Sequence, residues 1–235
     1  MENNRSIKLV MERYKIDKRY EASFHELLNI DIHTEFISSV IKLFDEEHTV
    51  TAKEFSKFSL EVIIDYIRKT HRLYILKKLP EMEQSIALLL ENYNGDHPLL
   101  LLLKNFFKSY QADLMEHIAC EEAQLLPHIG YLRKIELVNM DLEDFFYRTK
   151  NYSVQNFIKT HDNTEPDLQN IREAIRLYDP PKTNVTPYRI LLSQLELFEK
   201  DLSVHAFIED SVLLPRALKI ESYLQEEFEK RARLN

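Results

Sequence analysis

The sequence is poor in the residues that end or bend helices. Only 2 of its 235 residues are glycine and 8 are proline. Stretches in which apolar and polar residues alternate, as in half-buried strands, are also scarce. Leucine, glutamate, lysine and isoleucine dominate instead, and apolar residues recur three and four positions apart. These features argue against a strand-rich domain and predict an all-α protein.

Other absences bear on partners and location. A single cysteine, Cys120, excludes an intramolecular disulfide and fits a reducing compartment. The formal net charge is −8 and no cluster of lysine and arginine stands out, which argues against nucleic acid and membrane surfaces as partners. The leucine run at 99–103 is too short to span a bilayer, and the polar start lacks the apolar stretch of a signal peptide. We therefore expect a cytoplasmic protein.

Motifs of conventional catalysis are missing as well. The sequence contains neither a recognisable arrangement of nucleophile and base nor a phosphate-binding loop. A hydrolase or transferase of the usual kind is therefore not expected, and a metal-binding protein is favoured over an enzyme.

One motif occurs twice. His117 is followed four positions later by Glu121, then by an acidic residue and soon afterwards by Leu-Leu-Pro; the same order begins at His205 and Glu209. Positions i and i+4 share one face of a helix, so each copy directs an imidazole and a carboxylate to the same side. These two groups bind iron, zinc or manganese. The two copies therefore predict two walls of one metal site.

Four long helices are predicted after a set of short amphipathic helices. They cover about 58–93, 98–131, 157–178 and 187–219. Pro127 is expected to kink or fray the end of the second, and Thr186 is expected to cap the fourth, with a short helical tail from Ser222 onwards. We predict an up-down-up-down four-helix bundle over residues 58–235 and a helical N-terminal extension over residues 1–57.

Four histidines fall at one depth of this predicted bundle. Each lies 18 to 24 residues from the break at which its helix begins or ends, which is about 27–36 Å along the axis. One histidine comes from each helix: His71, His117, His161 and His205. Together with Glu121 and Glu209 they form the predicted ligand set. His97, in the turn after the first helix, is too far away by the same measure.

Six such ligands are too many for one catalytic zinc, which keeps three protein ligands. Two carboxylates on facing helices can each bridge two ions. Two octahedral ions that also share a bridging oxygen would each keep about one open position. Dioxygen or nitric oxide would bind there.

The same residues resemble the hemerythrin-like HHE family, and within it the repair-of-iron-centres (RIC) proteins. The matching motifs, within about 58–220, are Thr70-His71 with Leu79-Pro80 downstream, His117-x-x-x-Glu121-Glu, Thr160-His161-Asp162 and His205-x-x-x-Glu209. The resemblance implies two iron ions in an oxo- or hydroxo-bridged, non-haem centre inside a four-helix bundle. It also implies repair of iron–sulfur clusters damaged by nitrosative or oxidative stress, with damaged iron–sulfur proteins as partners. Other relatives bind or sense dioxygen.

Three functions stay open on this basis. The first is repair, and the second is a dioxygen or nitric oxide carrier or sensor without repair activity. The third is a helical interaction module that has lost its metal, against which the presence of all six ligand types speaks. The N-terminus lacks the adjacent cysteines with which the repair proteins typically begin.

Several further side chains are candidates for supporting the site. Tyr74, Tyr110 and Asp113 share helix faces with the predicted ligands and can orient an imidazole. Glu165 follows His161 by four residues but is next to Pro166, which disturbs the helix there.

Overall fold

The computed structural model describes residues 2–15, 34–45, 49–92, 98–138, 142–160, 172–173 and 185–234. Within these ranges every regular element is a helix and no strand occurs, so the all-α class is confirmed. The third predicted helix, at about 157–178, lies mostly outside them, and the up-down-up-down order of four helices stays a prediction. None of the described helices combines the length and the apolar character needed to cross a membrane.

Three long helices dominate the described part. Each contains one wide turn, called a π-turn below, in which backbone hydrogen bonds run to the carbonyl five residues back. In chain order the elements are α1 (Glu2–Lys15), α2 (Thr34–Leu43), a 3-10 turn (Ala52–Phe55), α3 (Leu60–Leu73), the first π-turn (Tyr74–Lys78), α4 (Leu79–Asn92), α5 (Pro98–Cys120), the second π-turn (Glu121–Leu125), α6 (Leu126–Val138), α7 (Leu142–Asn151), α8 (Val154–Thr160), α9 (Thr186–Ala206), the third π-turn (Phe207–Leu213) and α10 (Leu214–Leu234).

A proline stands two residues after each π-turn. Proline has no N–H to donate, and inside a regular helix it breaks one hydrogen bond and clashes with the preceding turn. Here the residue before each proline donates to the carbonyl five residues back, and the extra residue of the wide turn accommodates the ring within a continuous helix. These bonds run from Leu79 to Tyr74, from Leu126 to Glu121 and from Leu214 to Glu209.

Two helix ends predicted from the sequence are therefore wrong. Pro127 neither ends nor frays its helix, which continues through α6 to Val138 instead of ending near Tyr131. The tail predicted from Ser222 is part of α10, which runs without interruption to Leu234. At Pro127 the π-turn removes the conflict that makes proline a helix breaker.

The starts of the long helices follow the sequence more closely. The Ser59 hydroxyl accepts a hydrogen bond of 3.4 Å from the backbone N–H of Val62 and so caps α3. The helix α9 begins with Thr186 and Pro187 in its first turn, but Val185 precedes it without a side-chain cap. Thr186 is thus the first helical residue and not the predicted cap.

A buried polar layer separates two apolar clusters. On the long helices, the members of the first cluster that border this layer are Ile67, Leu125 and Val204. Those of the second cluster are Leu73, Ile118 and Leu202. Thr70, His71 and Glu121 are buried polar residues between these limits, and the buried Asp201, His205 and Glu209 lie next to them on the third long helix. Because an apolar interior penalises polar groups without partners, such a layer calls for ion pairs or a bound ion.

The described helices of the first 57 residues pack on α3. Val10, Met11 and Tyr14 of α1 belong to the same apolar cluster as Ile63 and Ile67 of α3. In addition, the ring of Phe36 in α2 meets the ring of Tyr66 edge-on at 5.5 Å between centroids. The division of the chain at residue 57 stays a prediction.

Candidate metal centre

Five of the six predicted ligands are described, and they lie together in the polar layer. They are His71 in α3, His117 in α5, Glu121 in the second π-turn, His205 in α9 and Glu209 in the third π-turn. Four of them are buried, whereas the side chain of His117 is 19% exposed. His161 lies outside the described residues, as do His97 and Glu165.

Glu121 is at the centre of the group. Its Oε2 lies 3.0 Å from Nε2 of His71, and its Oε1 lies 2.5 Å from Nε2 of His117. On the facing helix, Oε2 of Glu209 lies 3.4 Å from Nε2 of His205. The rings of His71 and His205 are 5.0 Å apart between centroids. The five side chains therefore converge on one small volume.

This volume contains two overlapping sets of candidate ligands. Within each set, one nitrogen or oxygen atom from every side chain lies within 4.8 Å of the others. The first set is His71, Glu121 and His205, and the second is His117, Glu121 and Glu209. Glu121 belongs to both sets. A carboxylate in this position can be shared by two cations.

Several polar atoms of the group fit a bound metal. They are buried and have no hydrogen-bond partner in the part of the chain that the structure describes: Nε2 of His71, both carboxylate oxygens of Glu121, Nδ1 of His205 and Oε1 of Glu209. The approach of His71 to Glu121 is close but lacks hydrogen-bond geometry. A buried carboxylate without donors is costly, and a cation removes that cost. The imidazole and carboxylate groups suit iron.

Ion pairs between imidazoles and carboxylates hold this layer together. Burial opposes protonation of His71, but the carboxylates of Glu121 and Glu122 outweigh it and raise the pKa of the imidazole to about 9. The pKa of His117 is also raised, since Glu121 outweighs the effect of burial. The pKa of Glu121 is lowered because the two histidines outweigh its burial. Protons on the imidazoles thus balance the carboxylate charge that a metal would otherwise balance.

Glu122 orients His71. Its Oε1 lies 2.8 Å from Nδ1 of His71, and its Oε2 accepts a hydrogen bond of 3.3 Å from Nε of Arg68. In the neutral imidazole, a proton on Nδ1 that is donated in a hydrogen bond to Glu122 leaves the lone pair of Nε2 available to a cation. Carboxylates that hold a ligating histidine in this way fix its tautomer and ring orientation. The acidic residue after the glutamate in both copies of the motif was the available sequence signal for this role.

Replacing Glu122 by alanine should weaken iron binding by about 10- to 100-fold, because His71 loses the acceptor that fixes its tautomer. Competition with a coloured chelator would measure the change. Glu116→Ala is the matched control, since Glu116 is an exposed glutamate of α5. Equal affinity in the two variants would contradict the orienting role of Glu122.

A second supporting network lies behind His205. Oδ1 of Asp201 accepts hydrogen bonds from Nη2 of Arg13 at 2.6 Å and from the hydroxyl of Tyr74 at 3.1 Å. The Tyr74 ring packs edge-on against the His205 ring at 5.9 Å between centroids. Tyr74 therefore supports the site through Asp201 and ring packing and makes no hydrogen bond to an imidazole in the described structure.

Sequence reasoning missed Asp201 and Arg13. Asp201 precedes His205 by four residues, as Asp113 precedes His117, so the repeat itself contained the signal. The two aspartates differ in burial, since Asp201 is 1% exposed and Asp113 lies on the surface. Tyr110, the remaining candidate on this face, packs in the second apolar cluster.

No protein-family model matches the chain. Among curated proteins, the iron-sulfur cluster repair protein ScdA of Staphylococcus haemolyticus is 21% identical over 151 residues, which is 64% of this chain and 64% of the relative. Proteins of the same name from two strains of Staphylococcus epidermidis are 18% identical over 159 residues, covering 67% of this chain and 66% of theirs. The chain has distant relatives among iron–sulfur cluster repair proteins.

This similarity supports the repair-type branch of the predicted family, and the hemerythrin-like assignment itself stays a prediction. The matched part spans less than two thirds of the length of these curated relatives.

Proposed function

We propose that the chain binds two iron ions in its polar layer and takes part in the repair of damaged iron–sulfur clusters. The observation that carries this proposal is the position of Glu121. Its carboxylate is 1% exposed, its two oxygens face Nε2 of His71 at 3.0 Å and Nε2 of His117 at 2.5 Å, and it belongs to both sets of candidate ligands. A buried, ionised carboxylate that two sets share is suited to a pair of cations.

The ligands divide between the two ions by position. His71 and His205 would bind one ion, and His117 would bind the other. Glu121 and Glu209 would each contact both, since Glu209 approaches His205 and also belongs to the set of His117. In this proposal the helix predicted at about 157–178 closes a hemerythrin-like four-helix bundle, and its His161 completes the second ion's ligands.

Iron held in this way supplies redox chemistry at an open coordination position. The chain's own residues prepare the site for it. The histidines keep Glu121 ionised, Glu122 orients His71, and the two apolar clusters exclude water from either side. His117 is the described candidate ligand that solvent reaches most readily, with 19% of its side chain exposed. Iron would leave for a damaged cluster from that side.

The repair function is supported by the names of the distant relatives and by this accessible edge. Iron-loaded protein should restore activity to an iron–sulfur enzyme whose cluster has been degraded in vitro. His117→Ala should abolish the restoration, because the exposed ligand is lost. His97→Ala, a histidine substitution predicted to lie far from the layer, should behave like the unchanged protein. Restoration by His117→Ala at the unchanged rate would contradict the proposal.

The alternative function is reversible binding of dioxygen or nitric oxide, and Tyr152 favours it. The hydroxyl oxygen of Tyr152 is buried and has no hydrogen-bond partner in the described structure. Burial raises the pKa of Tyr152, and the nearby carboxylates of Glu121, Glu209 and Glu221 add to the shift. The phenol therefore stays protonated and can donate a hydrogen bond beside the candidate centre.

Tyr152→Phe should speed the release of nitric oxide from reduced, iron-loaded protein by about 2- to 10-fold, the value of one hydrogen bond. Stopped-flow spectroscopy would follow the release. Tyr147→Phe is the control, since Tyr147 is 66% exposed. Binding that is reversible and is not accompanied by iron transfer would favour the alternative over repair, whereas identical release rates in both variants would exclude Tyr152 as the donor.

A further inference from the structure

The N-terminal helix α1 reaches the polar layer through Arg13. This residue is 1% exposed, and its Nη2 donates a hydrogen bond of 2.6 Å to Oδ1 of Asp201, a residue 188 positions away. Its Nη1 donates a hydrogen bond of 2.5 Å to the hydroxyl of Tyr66 on α3. One buried guanidinium therefore joins α1 to both α3 and α9.

Asp201 connects Arg13 to the candidate ligands because it also binds Tyr74. Its Oδ1 accepts the Tyr74 hydroxyl at 3.1 Å as well as Arg13. The Tyr74 ring is fixed between Phe198, at 5.0 Å between centroids, and His205, at 5.9 Å. The His205 ring in turn meets His71 at 5.0 Å. His205 is thus packed against Tyr74, whose hydroxyl is held by the partner of Arg13, and His71 is packed against His205.

The neighbouring residue on α1 contacts the same π-turn. Glu12 accepts hydrogen bonds from Nζ of Lys77 and, at 2.5 Å, from Nζ of Lys78. Both lysines belong to the first π-turn, which begins at Tyr74 and follows His71 by three residues. Consecutive residues of α1 therefore hold this turn at two points.

The helix α1 also covers Asp201. A cavity of about 50 Å³ lies beside Asp201, with Leu9 of α1, Met82 of α4 and Phe198 of α9 in its wall. Oδ2 of Asp201 is buried and has no hydrogen-bond partner in the described part of the chain. If α1 moves away, Arg13 and the wall formed by Leu9 leave together, and the carboxylate behind His205 is open to water.

We infer that α1 is a functional part of the metal centre: Arg13 and Glu12 position the first π-turn and Tyr74 against His205, which packs on His71, so that docking of α1 and retention of the metal reinforce each other. The inference rests on the proposed metal centre. Because the coupling free energy between two sites is reciprocal, loosening α1 must weaken metal binding, and loading the metal must hold α1 more firmly.

The first measurement is the rate at which a chelator removes iron from anaerobically loaded protein. Coupled sites typically change each other's affinity by about 5- to 150-fold. With an unchanged association rate, Arg13→Met should lose iron faster than the unchanged protein by that factor. Lys8→Ala, a change at an exposed cation of the same helix, should lose iron at the unchanged rate. Arg13→Lys, which keeps the charge, should recover part of the difference.

A double variant separates positioning from stability. Arg13→Met alone leaves the buried Asp201 charge without its partner, which destabilises the fold on its own. Arg13→Met combined with Asp201→Asn removes both charges, keeps an acceptor for Tyr74 and cuts the link between Arg13 and residue 201. This variant should recover the melting temperature of the unchanged protein and still lose iron rapidly. Recovery of slow iron loss would show that Arg13 acts on stability alone and would overturn the inference.

The reciprocal effect is measured in the unchanged chain by hydrogen exchange. Amide protons of α1 should exchange more slowly in iron-loaded than in metal-free protein. Exchange in α1 that is indifferent to iron, in a protein that binds iron, overturns the inference and leaves the proposed function intact. A chain that takes up no iron at all refutes both.

Discussion

Replacing Glu121 by alanine should reduce bound iron from about two ions per chain to about none. Both sets of candidate ligands include Glu121, and its two oxygens face different histidines, at 3.0 Å and 2.5 Å. Removing this one side chain therefore leaves both ions without a shared ligand and leaves neighbouring imidazoles without the carboxylate that keeps them in place. Metal analysis after anaerobic loading would measure the loss.

Two other glutamates test the specificity of that result. Glu116→Ala should keep its full iron content, since Glu116 is exposed five residues earlier in the chain. Glu209→Ala should also lose both ions, because Glu209 approaches His205 and belongs to the set of His117. A Glu121→Ala protein that retains one ion would show that this carboxylate serves a single metal, and the shared assignment would be wrong.

Removing the metal should lower the free energy of unfolding by about 4 kcal/mol when free iron is present at about 1,000 times its dissociation constant. The candidate ligands come from different long helices that meet in the polar layer, and a bound metal stabilises only the folded arrangement. For a chain of this size the change corresponds to a melting temperature lower by about 8–16 °C. Calorimetry of loaded and chelated protein would measure it.

Glu121→Ala provides the control for this experiment. Its melting temperature should be the same with and without iron, because it has no site through which iron can act. An iron-dependent increase that persists in Glu121→Ala would place the stabilising metal somewhere other than the polar layer.

The candidate site was largely predictable because its ligands follow helical spacing. The histidine and glutamate at i and i+4 occur twice, and the distances from the helix breaks place His71, His117 and His205 at one depth. The described positions of these residues agree with that expectation. Arg13 could not be found in this way, because its contact with Asp201 spans 188 positions and leaves no local pattern.

Helix ends were less predictable than helices. Proline is read as a breaker because it cannot donate a hydrogen bond, and that rule placed the end of the second long helix too early. The rule fails at Pro127 because the bonding pattern changes before the proline is reached, with Leu126 donating to Glu121. Packing between helices likewise determines that Asp201 is buried and Asp113 is exposed. Both aspartates precede a histidine by four residues, so their spacing in the sequence does not distinguish them.

The π-turns also determine which side of each long helix faces the interior beyond the turn. In the second long helix, inward positions follow one another at intervals of four: His117, Glu121, Leu125 and Ile129. Four residues of a regular helix turn through about 400°, so three such steps would drift by about 120° around the axis. The extra residue of the π-turn absorbs about 100° of that drift. The half of the helix with the candidate ligands and the apolar half both face the interior only because of this extra residue, and deleting one residue at 121–125 would turn Leu125 and Ile129 away from it.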